Sequence, residues 1–141
     1  DEYLNNGGHI ILFPNIESDP SVFTYINNIT SDVSVNYTDL NKETLSDNSF
    51  QEINPESIQI NNIKDLFVDI DGKDRNIKIF EYISLPFHPE FSKIQLNDGS
   101  SIWNRHIIQS GILDIFGIAV NLNWTNFPIK GTFLPFTHFL I

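Results

Sequence analysis

The stretch that most restricts how this chain can fold is Tyr3-Leu4-Asn5-Asn6-Gly7-Gly8-His9-Ile10-Ile11-Leu12-Phe13-Pro14. Tyr3 and Leu4 fit the last turn of a helix. Gly7 or Gly8 then takes the left-handed cap position that a residue with a Cβ avoids. Ile10 to Phe13 is an unbroken apolar run, the pattern of a strand covered on both faces in a parallel sheet. Pro14 turns the chain out of that strand. Helix, glycine stop and buried strand make up half of a crossover unit, so the chain is expected to open inside a fold.

The rest divides by periodicity. Ser18, Asp19 and Pro20 supply an N-cap and a first-turn proline. Val22, Phe23, Tyr25, Ile26 and Ile29 follow at helical spacing, which predicts a helix over 20–29. Residues 31–56 are polar and read as an exposed insertion, with Val33, Val35 and Tyr37 alternating as a short edge strand would. Ile77 to Ile83 alternate as a half-buried strand. Ile94-Gln95-Leu96 enters Asn97-Asp98-Gly99-Ser100, whose Asp-Gly pair suits a hairpin, and Ile102 to Ile108 would be the returning strand. Gly111 to Val120 is apolar apart from Asp114 and its glycines, and reads as a core strand. Thr132 as N-cap and Pro135 in the first turn predict a final helix.

Bulk properties exclude several functions. Eighteen acidic residues against eight basic ones leave a net charge of −10, with the cations scattered, so the surface repels nucleic acid and anionic lipid. The absence of cysteine removes thiol nucleophiles, disulfides and thiolate metal sites. No signal peptide or transmembrane run is visible. At 141 residues, 40% of them hydrophobic, the chain reads as one domain over 1–141 with a core of its own, cut from a longer protein.

No reaction can be read from the residues. His9, His88, His106 and His138 include no pair at metal-ligand spacing and no neighbouring G-x-S-x-G elbow. Packing and capping are their expected roles. Asp69-Ile70-Asp71-Gly72-Lys73-Asp74 fails the register of an EF-hand loop, because its glycine comes fourth instead of sixth; a solvated turn is the better account. The sequons at Asn28, Asn36 and Asn123 are read as surface turns. No catalytic residue, cofactor or metal is expected. Trp124, Phe133, Phe136 and Phe139 gather near the C-terminus, either as core or as a surface for a partner or sugar.

Taken in order, these pieces resemble a known family. Helix, Gly7-Gly8, strand and Pro14 are similar to the glycine-glycine element of class I glutamine-amidotransferase-like domains. The non-catalytic versions inside Bat-type aerotolerance membrane proteins of Bacteroidetes are the nearest likeness. Asn62 to Phe67 loosely follows a further stretch of that family but lacks its His-Pro. Ile94 to Ile102 and Gly111 to Val120 resemble its next two strands. Asn123-Trp124-Thr125-Asn126-Phe127-Pro128 and Thr132-Phe133-Leu134-Pro135-Phe136 resemble its closing motifs. The resemblance implies the C-terminal part of an α/β domain, with a partly parallel sheet flanked by helices, amidotransferase-like or flavodoxin-like, plus an antiparallel hairpin. The alternative architecture is a mostly β sandwich. With the family's cysteine nucleophile missing, the resemblance implies a non-enzymatic interaction or scaffold domain. It would belong to a membrane-anchored bacterial envelope protein, on the periplasmic side of the inner membrane. Its partners would be proteins of the same envelope complex, and membrane attachment would lie elsewhere in the parent chain. Gly7, Gly8 and Pro14 would then be structural turn residues. The alternative function is a secreted or virion β-rich module that binds glycan or protein through an aromatic surface.

Overall fold

Gly7 ends the first helix by adopting φ +89°, and its N–H donates to Leu4 O at 3.0 Å. That helix, α1 (Glu2–Asn5), hands over directly to strand β1 (His9–Leu12). Gly8 is needed for space, since a Cβ there would stand 2.3 Å from the Tyr3 ring. In the computed structural model the described residues are 2–14, 20–31, 35–37, 40–68 and 75–141. The expected cap at Ser18 and Asp19, Val33, and the Asp69–Asp74 turn lie outside them.

Helix α2 (Pro20–Ile29) forms where the helical spacing predicts it. After it come β2 (Lys42–Thr44), β3 (Gln51–Glu52), a 3₁₀ turn at Pro55–Ser57 and α3 (Asn61–Phe67). Strands β4 (Lys78–Ile79), β5 (Glu81–Ile83), β6 (Ser92–Gln95), β7 (Ser101–Ile108) and β8 (Gly111–Phe116) follow, then a 3₁₀ turn at Phe127–Ile129 and α4 (Phe133–Leu140). The main sheet runs β1-β8-β7-β6, and β2–β5 and β3–β4 form two small ladders. The Asp98-Gly99 hairpin is present, with Gly99 at φ +90°.

Each face of the main sheet carries its own core, as alternation along the strands requires. On one side Ile94, Trp103 and Phe116 pack with Ile63 and Phe67 of α3 and with Phe136 and Leu140 of α4. On the other, Leu113 and Ile115 pack with Ile26 of α2, Tyr37 and Trp124. Residues of β1 join both cores, Ile11 the first and Ile10 and Leu12 the second.

The expectation of a partly parallel, helix-flanked α/β sheet is overturned. β1 with β8 is the one parallel pairing among the described residues; β2–β5, β3–β4, β6–β7 and β7–β8 are antiparallel. The fold is sheet-rich, with short helices, and lies nearer the mostly β alternative. Connection length is the physical reason. Parallel neighbours need a crossover of a dozen or more residues, and the turns between β6, β7 and β8 are far too short for one.

Three local readings also change. The 31–56 stretch contributes β2 and β3 as well as the buried Tyr37 and Ile53. The strand foreseen over Ile77–Ile83 breaks at Phe80, because the Trp124 carbonyl accepts from both the Phe80 and Glu81 N–H groups. The Gly111–Val120 strand stops at Phe116, where Gly117 N–H turns to Ile102 O and Gly117 O accepts from Ile83.

Candidate functional site

Asp114 is the acid that interrupts an otherwise apolar strand, and its side chain is wholly buried. Strand register supplies its partners: Arg105 of β7 stands directly opposite, and Ile11 of β1 stands beside it. Trp103 and Arg105, two apart, face the same way, as do His9 and Ile11. The carboxylate is therefore approached from three directions. Its Oδ1 accepts from Trp103 Nε1 (2.7 Å) and Arg105 Nε (2.8 Å); its Oδ2 accepts from Arg105 Nη2 and His9 Nε2, both at 2.7 Å. The arginine grip is bidentate and strong. The guanidinium also lies 5.2 Å from the Trp103 ring centre and 5.5 Å from that of Phe139. Lys93 is nearby, its pKa held below the ordinary lysine value by burial and by the positive charge of Arg105.

A second network fills the opposite face. Asn104 Nδ2 donates to Tyr37 Oη (2.9 Å) and to Pro86 O (2.8 Å), while its Oδ1 accepts from Ser92 and Ser101. Tyr37 Oη lies 2.6 Å from His106 Nε2. Which of the two atoms donates depends on the imidazole tautomer. Burial pushes the His106 pKa down to about 4 and the Tyr37 pKa up. The Phe91 ring packs at a tilt against His106 with centres 4.5 Å apart, and stacks on His88 at 4.9 Å.

Chemically these are clamps. A carboxylate held by four N–H donors has no free lone pair directed at a substrate. His106 Nε2 is occupied by Tyr37. His88 Nδ1 accepts from the Glu90 N–H, and Ser92 Oγ is committed to Asn104. Among the described residues no group of three His, Cys, Asp or Glu side chains is arranged to hold a metal, and no helix is long and apolar enough to cross a membrane.

The residues singled out from the sequence are scattered. Gly7 and Gly8 make the α1–β1 turn and Pro14 follows β1. Trp124 and Phe136 are core residues, and Phe133 and Phe139 pack partly buried against the same core as Phe136. Thr132 precedes α4, but its hydroxyl makes no cap bond and is buried without a partner. Among Phe67, Phe127 and Phe136 the rings cluster with centres 5.4 Å apart. The cavity they help line measures about 20 Å³, room for about one water molecule. Asp114 and Arg105 escaped the sequence reading; the acid inside an apolar run was the available signal.

One surface does stand open. The inner side of α4 carries Phe136 and Leu140, and its outer side carries Leu134, 75% exposed. Ile141, which follows the helix, is 95% exposed, and Ile129 before it 71%. Leu134, Pro135, Thr137, His138 and Ile141 line a shallow groove of about 510 Å³.

No family model matches this chain, and no curated protein or solved structure is detectably similar to it.

Proposed function

We propose that this chain is a non-catalytic, β-rich protein-interaction module that binds its partner through the outer face of α4. The observation that carries the reading is the two-sided hydrophobicity of that helix. Phe136 and Leu140 already satisfy its core contact, yet Leu134 and Ile141, which line one groove, are also apolar and face water. The outer face is mixed, with Thr137 and His138 beside those two residues, and an exposed apolar patch rimmed by polar groups marks an interaction site. The four N–H donors that already occupy the Asp114 carboxylate support the non-catalytic part.

From the Bat-type resemblance the proposal keeps the setting: an envelope protein of a bacterium, anchored elsewhere in the parent chain, working on the periplasmic side with proteins of the same complex. The secreted or virion reading fits the sheet-rich architecture better than the Bat-type one, which carries the helix-flanked parallel fold that the strand pairing overturns. Its glycan-binding form is less favoured, because Trp124 and Phe136 are inside the core and offer no stacking platform.

Site-specific photocrosslinking tests the interface. A crosslinking residue at Leu134 should yield a discrete protein adduct in the source cell, and one at the exposed, polar Glu43 on β2 should not. Equal labelling at both positions, or none at Leu134, would count against the proposal.

A further inference from the structure

Three glycines follow an aspartate or an asparagine: Gly7 after Asn6, Gly72 after Asp71 and Gly99 after Asp98. Such a pair can close a five-membered imide, because glycine has no side chain to keep its nitrogen from the preceding side-chain carbonyl. The structure separates the two pairs that lie within the described residues. Asp98 is locked. Tyr82 Oη donates to its Oδ2 at 2.5 Å and the Ser100 N–H to its Oδ1 at 2.8 Å, while the Gly99 N–H is tied to Leu96 O at 3.0 Å. Asn6 is exposed, as is Gly7, and no hydrogen bond holds its side-chain amide among the described residues. Its one restraint is the helix stop. The Gly8 N–H donates to Tyr3 O (2.8 Å) and the Gly7 N–H to Leu4 O (3.0 Å), the paired bonds of a Schellman motif. That motif closes a helix of four residues, and so short a helix frays at its last bonds while the buried Leu4 stays anchored. Space beside Gly7 is open, since even a Cβ there would meet only Ser110 O at 3.7 Å.

We infer that Asn6-Gly7 is a site of spontaneous deamidation and backbone rearrangement, and that Asp98-Gly99 is protected from the same chemistry. When the turn frays, the Gly7 nitrogen attacks Asn6 Cγ. The N–Cγ bond forms, the Cγ–Nδ2 bond breaks, and the amide proton of Gly7 leaves with the departing ammonia. Water then opens the imide at either carbonyl. One opening gives aspartate; the other gives isoaspartate, in which the main chain runs through Cγ. Either product places a negative charge at the C-terminal end of α1, the end that disfavours an anion. The isoaspartyl product also lengthens the main chain by one carbon just ahead of a tight crossing. There Gly8 O accepts from the Ile112 N–H (3.0 Å), and a Cβ on Gly111 would stand 2.6 Å from that oxygen. The modification therefore loosens the α1–β1 junction as the protein ages. The inference goes beyond the α4 reading and is independent of it.

Timed incubation of the whole folded chain in mildly alkaline buffer, followed by peptide mapping with mass spectrometry, tests it. Asn6 should lose its amide before any other asparagine. A protein isoaspartyl methyltransferase should label the Asn6 peptide and leave the Asp98 peptide unlabelled. Unfolding in urea should speed the loss at Asn6, because the Schellman bonds are then gone. Aged protein should also melt at a lower temperature than fresh protein. Asn6→Gln keeps the amide but would need a six-membered ring, so it should block both the labelling and the fall in melting temperature. The inference is overturned if the Asn6 amide persists in the folded chain while the unfolded chain converts, or if another asparagine converts first. It is equally overturned by equal labelling at Asp98, or by full conversion at Asn6 with an unchanged melting temperature.

Discussion

Tyr37 and His106, far apart in sequence, meet in the interior with Oη and Nε2 2.6 Å apart. The pair pins the segment around Tyr37 to the central strand β7. Asn27 of α2 reinforces it by accepting the Tyr37 N–H at 2.7 Å. Burial disfavours the charged imidazole, and this makes the fold sensitive to acid.

The sign follows from linkage. With the His106 pKa at about 4 in the folded state against the ordinary histidine value of 6.5 in the unfolded chain, the unfolded chain binds more protons between those limits. Stability should therefore be complete above pH 6.5 and fall as pH drops toward 4, by about 3 kcal/mol in total. His106→Gln should flatten urea-midpoint curves across that window. Asp98 acts lower on the scale. Burial raises its pKa, but hydrogen bonds from Tyr82 and Ser100 outweigh that, so its contribution is lost only below the ordinary aspartate range. Equal pH slopes in wild type and His106→Gln would rule out this assignment.

Asp114 should be costly to remove alone. Asp114→Ala leaves the half-buried guanidinium of Arg105 without its carboxylate, for a loss of about 3–5 kcal/mol in chemical denaturation. Replacing both members, Arg105→Met with Asp114→Leu, should recover much of that stability, since two apolar groups carry no unpaired charge. A double variant no better than Asp114→Ala would show that the pair is not the source of the effect.

Gly111 is where α1 crosses the start of β8. A Cβ there would lie 2.3 Å from Leu4 O and 2.6 Å from Gly8 O, both rigid backbone atoms. Gly111→Ala should destabilise the chain by about 1–3 kcal/mol, read as a lower melting temperature. Gly131→Ala, which meets nothing within 4 Å, is the matched control and should stay close to wild type.

On α4 the two faces should respond in opposite ways. Phe136→Ala should cost about 3–5 kcal/mol in denaturant titrations, because it empties the aromatic cluster. Leu134→Lys should shift stability by no more than about 0.5 kcal/mol, yet abolish crosslinking from a probe placed at Ile141. Retained adducts with Leu134→Lys would exclude this face as the docking surface.

Much of the local structure was legible along the chain because it depends on neighbours in sequence. The glycine stop at Gly7, the α2 spacing and the Asp98-Gly99 turn each act over a few residues, and each appears where expected. The strand over 77–83 was legible as a pattern, but nothing local announced that the Trp124 carbonyl would interrupt it at Phe80. The candidate sites were less visible still. His9, Arg105 and Asp114 look unrelated in sequence, and only the register of β1 and β7 against β8 makes them one cluster.

By itself, then, the sequence determined the span of α2 and the glycine stop after α1, though not α3, and that thiol chemistry is excluded. It left strand direction undecided, because an apolar run such as Ile10–Phe13 suits a parallel or an antiparallel neighbour equally. Tertiary structure decided that β8 takes β1 in parallel and β7 in antiparallel, giving a sheet-rich fold in place of a helix-flanked parallel one. It also buried Trp124 and Phe136 and left Leu134 and Ile141 in water. Hydrophobicity says that a side chain gains by being covered; only the packing of distant segments says by what.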